Sequence, residues 1–230
     1  MRLILSAGLA ALMASAALAD VTVETALGPV TLPETPAKVA ALDLGVADMM
    51  MALGVTPAAV PDKLYLDHLQ PLAQAAAPAG TLQEPDLEKL AALGPDLIVV
   101  ANRSAVKKDA VAQVAPAIDM TVDGADLIGQ AKARLAALAA LFGRQAEGEA
   151  LAAALDGKLA ALADAGRDKG TALVVLTNGP KMSAYGEGSR FGWIYEVTGL
   201  PQVEATLKSE ANHGDAVSHE FIAQANPDWL

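Results

Sequence analysis

The chain has no cysteine. Disulfide frameworks, thiolate nucleophiles and cysteine-built metal sites are therefore excluded, and so is a lipid anchor on a cysteine. Aromatic residues make up only 3% of the 230 residues. Cations are also scarce: 16 Lys and Arg face 27 Asp and Glu, a formal net charge of −11. Such a surface gains no counterion release from nucleic acid and no attraction to anionic lipid, which argues against both partners. The apolar stretch at the N-terminus is broken by Ser6, Gly8 and Ser15, and no stop-transfer pattern follows it. Catalytic signatures are missing as well. There is no G-x-S-x-G, no G-K-[ST] loop and no H-E-x-x-H. His68, His213 and His219 have no evident serine partner, and "GEGSRFG" departs from G-x-G-x-x-G at Phe191. The sequence reads as a non-enzyme.

Against that background the content is informative. A hydrophobic fraction of 53% with 19% charged residues suits a soluble, helix-rich α/β protein. Arg2, an apolar run and "ALA" at 17–19 have the form of a cleavable signal peptide over 1–19. The compartment this predicts is the bacterial periplasm, with no direct membrane anchor. After a β-like start, "KVAALDLGVADMMMALGV" reads as a buried strand, a loop and a helix ending near Gly54. The run Met49–Met51 fits a largely buried helix; a thioether metal box is the alternative. "EPDLEKLAALGPDLIVVANRSA" reads as helix, Gly-Pro break, fully apolar strand, and a loop carrying Arg103. This alternation predicts parallel βαβ construction.

The alanine- and leucine-rich region 126–168 predicts a long connecting helix, with Gly143 and Gly148 as points where it kinks or divides. It separates a first α/β lobe, 20–125, from a second, 169–230. A loose internal repeat supports two similar lobes. Glu88 stands seven residues before Pro95-Asp96, and Glu220 seven before Pro227-Asp228, with Leu90 and Ile222 at matching positions. The fold class expected is α/β, two Rossmann-like lobes joined by a long backbone helix.

The chemistry points to binding. Arg103 follows one predicted strand, and Arg190 sits in the glycine-rich loop "SAYGEGSRFGW" after another. Ligands of open α/β sheets lie beyond the carboxyl ends of the strands. Two guanidiniums there offer rigid donor forks to anionic oxygens. Gly186 and Gly188 are read as letting the loop backbone approach a bulky ligand. Phe191 and Trp193 are read as anchors of the next helix, with one ring free to line the cleft. Tyr185 is a candidate ligand contact, and His213, beside Gly214, is either a polar loop residue or a functional one.

The stretches "TNGPKMSAYGEGSRFGWIYEVTGL" and "HGDAVSHEFIAQANPDWL", with the earlier "GTLQEPDLEKLAALGPDLIVVANR", resemble the periplasmic ferric-siderophore binding proteins of ABC importers, catecholate type. The resemblance runs over about 35–230. It implies that Arg103 and Arg190 hold an anionic Fe(III)-siderophore and that His213 ligates iron when the chelate leaves positions open. It implies no intrinsic cofactor and delivery to an inner-membrane ABC permease. Another chelate or cofactor, haem or a cobalamin, is the alternative, then a periplasmic α/β enzyme with an arginine-lined anion site. Family members continue past the "NPDWL" junction with a further cleft arginine and an iron-ligating tyrosine. The expectation is therefore a truncated second lobe with an exposed sheet edge and a tendency to aggregate.

Overall fold

A computed structural model describes residues 20–124, 126–204, 206–207 and 213–230. The expected signal peptide and the lobe boundary at residue 125 lie outside them. The chain opens with an antiparallel hairpin, β1 (Val21–Thr25) and β2 (Gly28–Leu32), turned at Gly28 with φ 101°. Five short parallel strands follow: β3 (Val39–Ala41), β4 (Ala59–Val60), β5 (Ala77–Pro78), β6 (Leu97–Val100) and β7 (Ala117–Asp119). Their spatial order is β5-β4-β3-β6-β7. That is the strand order of a doubly wound dinucleotide-type half, with its reversal between β3 and β6.

The wholly apolar β6 is explained by this position. Leu97 and Val99 enter one core cluster with α1 (Leu44–Ala52), whereas Ile98 and Val100 enter another on the opposite face, beside α3 (Leu87–Leu93). Period-two alternation with both faces covered gives an unbroken apolar run. Met50 is fully buried in the first cluster and Met49 and Met51 pack against it, so the methionine run is core. Short helices α2 (Leu72–Ala75) and α4 (Lys108–Val111) complete the layers.

The connector divides at Gly143, one of the two points expected from the sequence, into two helices. Helix α5 (Leu127–Leu141) is capped at its start by Asp126, whose carboxylate accepts from the Gly129 N–H at 3.0 Å. The chain breaks at Gly143, with φ 64°, before α6 (Gln145–Gly166). An L-residue strains at that φ, so the glycine ends the first helix. Helix α5 contributes Ala137, Leu138 and Leu141 to the first lobe's core. Helix α6 is the spanning element: 22 residues, about 33 Å long. A Cβ on its Gly148 would meet Ala139 and come near Leu53 in the first lobe, and one on Gly166 would collide with the Thr198 carbonyl in the second.

In the second lobe β8 (Val174–Asn178) and β9 (Lys181–Tyr185) form an antiparallel hairpin. Strand β10 (Asp215–Val217) adds antiparallel to β9, before α8 (His219–Ala225); α7 (Trp193–Thr198) lies between β9 and β10 in sequence. Among the described residues of this lobe, parallel pairing is confined to Ala172, bridged to Gln202 on one side and Trp229 on the other. The Rossmann-like part of this lobe is thus the short run 171–173, and most of its sheet is antiparallel. Its buried cluster is Leu173, Ala184 and Leu207, far smaller than the first lobe's.

Candidate functional site

Three loops converge beyond the carboxyl ends of β4, β5 and β6. After β4, Asp62 laces its loop to the next: its N–H donates to the Gly80 carbonyl at 2.8 Å, and its carboxylate accepts from the Gly80 N–H at 2.9 Å. Gly80, at φ 90°, is required there, since a Cβ would sit 2.5 Å from the Asp86 nitrogen. After β6, Asn102 takes a left-handed φ of 49°, and its N–H donates to the Thr121 hydroxyl at 2.9 Å. Its side-chain amide reaches Asp43, the N-cap of α1, at 3.4 Å, across the sheet's reversal point. Buried Ser104 then closes the turn, its hydroxyl donating to the Ala101 carbonyl. This frame projects Arg103 outward. A small recess of about 60 Å³ is lined by Arg103, Lys63, Tyr65, Thr81 and Gln83, among others.

Lys63 and Tyr65 are rim residues that sequence reasoning missed. Neither cation, Lys63 nor Arg103, has a hydrogen bond or ion pair with any described residue. Lys107, nearby, is already paired with Glu84 at 3.0 Å. Tyr65 stands 69% exposed. The signal that marks them is position: both lie within five residues of the end of β4.

In the second lobe the glycine loop follows β9. Ser189 folds it back, its hydroxyl donating to the Gly186 carbonyl at 2.6 Å. Gln202 pins it from the side, accepting from the Glu187 N–H at 2.7 Å. The glycines serve this folding. A Cβ on Gly186 would meet Gln202 and Leu207, and one on Gly192 the Gly188 nitrogen at 2.5 Å. Gly188 itself has φ 79°. The loop's own packing therefore accounts for them without a ligand. Arg190 is exposed, with its guanidinium 4.6 Å from the Phe191 ring centroid.

Tyr185 is placed differently from a ligand contact. It is 2% exposed, its ring edge-on to Phe191 at 4.7 Å and its carbonyl accepting from the Tyr195 hydroxyl at 2.7 Å. Burial pushes the Tyr195 phenol up from its ordinary pKa. Tyr185 thus supports Phe191 and, through it, the arginine. His213 is exposed just before β10. Because Asp215 pairs with Ala184, His213 lies at the same end of the sheet as the glycine loop. No group of three or more metal-ligating side chains occurs among the described residues.

Arg103 and Arg190 are not in contact, but a short segment joins their frames. Thr121 holds the Arg103 loop, and Gly124 lies against the Arg190 backbone, where a Cβ would come 2.9 Å from its Cα. Residues 121–124 thus couple the two rims.

The periplasmic binding protein family model matches residues 39–230. The chain belongs to that family. It is similar to the petrobactin-binding protein YclQ of Bacillus subtilis, 30% identical over 86% of this chain and 64% of that protein. It is also similar to the ferric-anguibactin-binding protein FatB of Vibrio anguillarum, 28% identical over 91% of this chain and 67% of that one. It therefore spans about two thirds of the length of these relatives. The crystal structure of YclQ superposes with a TM-score of 0.85, at 29% identity, over 92% of this chain and 76% of that chain. The catecholate-siderophore binding protein VctP of Vibrio cholerae gives 0.82 at 28% identity, over 91% and 76%. These superpositions bear out the helical-backbone α/β fold expected from the sequence.

Proposed function

We propose that this protein captures an anionic ferric siderophore, of catecholate type, in the periplasm and presents it to an ABC permease. One observation carries the reading. In a chain of net charge −11, Lys63, Arg103 and Arg190 stand on loops beyond strand ends with no acid paired to them among the described residues. Guanidinium forks and an ammonium suit oxygen-rich anions, and an exposed tyrosine beside them offers a flat apolar face to an aromatic chelator. The petrobactin-binding YclQ, the ferric-anguibactin-binding FatB and the catecholate-siderophore binding VctP support the same ligand class. His213, at the open end of the second sheet, would complete iron coordination for chelates that leave a position free. Tyr185 is not among the proposed contacts, because its ring is buried.

Titration of the purified protein with ferric catecholate, ferric hydroxamate and ferric citrate, followed by tryptophan fluorescence, tests this. Saturable binding that favours the anionic catecholate supports the reading. Equal weak quenching by all three, or tighter binding of a neutral hydroxamate complex, overturns it.

A further inference from the structure

A second, larger pocket lies on the other side of the glycine loop that carries Arg190. It is open, has a volume of about 580 Å³, and surrounds the first turn of α7. Glu187 and Glu196 border it, and both carboxylates are exposed, with no ion pair or side-chain hydrogen bond to any described residue. Among the described residues, no lysine, arginine or histidine lines it. Its apolar walls are the half-buried Trp193 and Leu200 with Pro201. Arg190 and Phe191 do not take part, although Gly124, which packs on the Arg190 backbone, closes one side. The Glu187 charge reaches into the site strongly enough to help hold the Tyr195 phenol protonated, after burial, the larger cause.

We propose that this pocket binds an aliphatic ammonium ligand, a primary amine or polyamine. Two unpaired carboxylates in a net-acidic chain set a negative local potential. An indole face attracts an ammonium through its quadrupole, and methylene groups gain from Trp193, Leu200 and Pro201. A bare divalent ion is a poorer match, since hard cations need six or more oxygen ligands and only two carboxylates are present. The proposal rests on Glu187 and Glu196, whereas the proposed function rests on Lys63, Arg103 and Arg190, so the two readings draw on different side chains.

Calorimetric titration of the 230-residue protein with putrescine, n-butylamine, 1-butanol and magnesium chloride at fixed ionic strength tests the proposal without any siderophore. Saturable putrescine binding is expected, weaker n-butylamine binding, and none by 1-butanol. Glu187→Gln and Glu196→Gln should each weaken putrescine binding about fivefold, the scale of one exposed charged contact. Both sites are exposed, so the variants should melt as the parent does. Trp193→Leu should lower affinity while keeping the preference for amine over alcohol. Lack of saturable amine binding, affinity unchanged from the parent in both glutamine variants, or magnesium binding that outcompetes putrescine overturns it. Loss of siderophore binding with amine binding intact leaves this site standing, so the two readings fail separately.

Discussion

Arg190 is held as much by its neighbours as by its own bonds. Phe191 lies under its guanidinium, Tyr185 braces Phe191 edge-on, and Tyr195 secures Tyr185 through its carbonyl. Arg103 is fixed instead through its backbone, by the turn at Asn102 and the Ser104 hydroxyl. Both guanidiniums are exposed, so their attraction to an anion is weak until a ligand displaces the surrounding water. Replacing either with Ala should cost about 1.5 kcal/mol, roughly tenfold in affinity for a ferric catecholate. Lys at either position should recover only part, because the fork is lost. Titrations of the four variants check this, and unchanged affinity in both alanine forms would remove the rim from the site. His213 makes a finer prediction. His213→Ala should weaken tetradentate ferric chelates more than hexadentate ones, since a saturated chelate leaves no position for the imidazole. Equal losses for both chelate classes would return His213 to an ordinary loop residue. Arg103 and Arg190 stand out as candidates in the sequence because each follows an apolar run or a glycine loop. Lys63 and Tyr65 do not, because the strand before them has two residues and no period to read.

At the scale of elements, the internal repeat has a physical basis. Helix α3 is N-capped by Asp86 and ends at left-handed Gly94; α8 is N-capped by Ser218 and ends at left-handed Asn226. After each comes Pro-Asp, and each aspartate pins the start of a neighbouring strand. Asp96 accepts from the Ala37 and Lys38 N–H groups, and Asp228 from the Thr171 N–H and hydroxyl. The similarity of the lobes was therefore visible in sequence through caps and turn residues, whose chemistry is local. The antiparallel β8–β9–β10 arrangement was not, because register between distant strands leaves no local mark. Hydrogen bonds from Thr171 hold the Asp228 carboxyl below its ordinary value of 3.8, and the Lys89 N–H does the same for Asp86. A depressed native pKa contributes stability above 3.8 that is lost as pH falls through the native value. The melting-temperature gap between parent and Asp228→Asn should be widest near neutrality and close in strong acid; a constant gap would deny the linkage. Helix α6 supplies a paired test. Gly157 has open space around it, so Gly157→Ala should stabilise by about 0.5–1 kcal/mol. Gly166→Ala puts a methyl into the Thr198 carbonyl and should destabilise by about 1–3 kcal/mol. Thermal melts that move the same way for both would contradict this docking of α6 on α7.

Among the described residues, the first lobe carries most of the buried core, and α6 spans from it to a second lobe with a smaller one. Charge at this scale opposes charge at the rims. An anionic chelate approaching from a distance meets a body of net charge −11, and only near the loops does it meet Lys63, Arg103 and Arg190. Ionic strength separates the two contributions. The screening length is about 30 Å at 0.01 M and about 8 Å at 0.15 M. At low salt the whole acidic body repels the ligand; at physiological salt only the charges near its path remain. Association of a ferric catecholate should therefore speed up as salt is raised over that interval. That is the reverse of the salt dependence seen when a protein's charge steers an oppositely charged ligand. The dissociation rate should change less, because the rim contacts are short-ranged. Arg103→Ala and Arg190→Ala should slow association at each salt concentration while keeping the upward trend. Stopped-flow tryptophan quenching across a salt series measures these rates. An association rate that falls steadily with salt in the parent would mean that the rim outweighs the body even at long range.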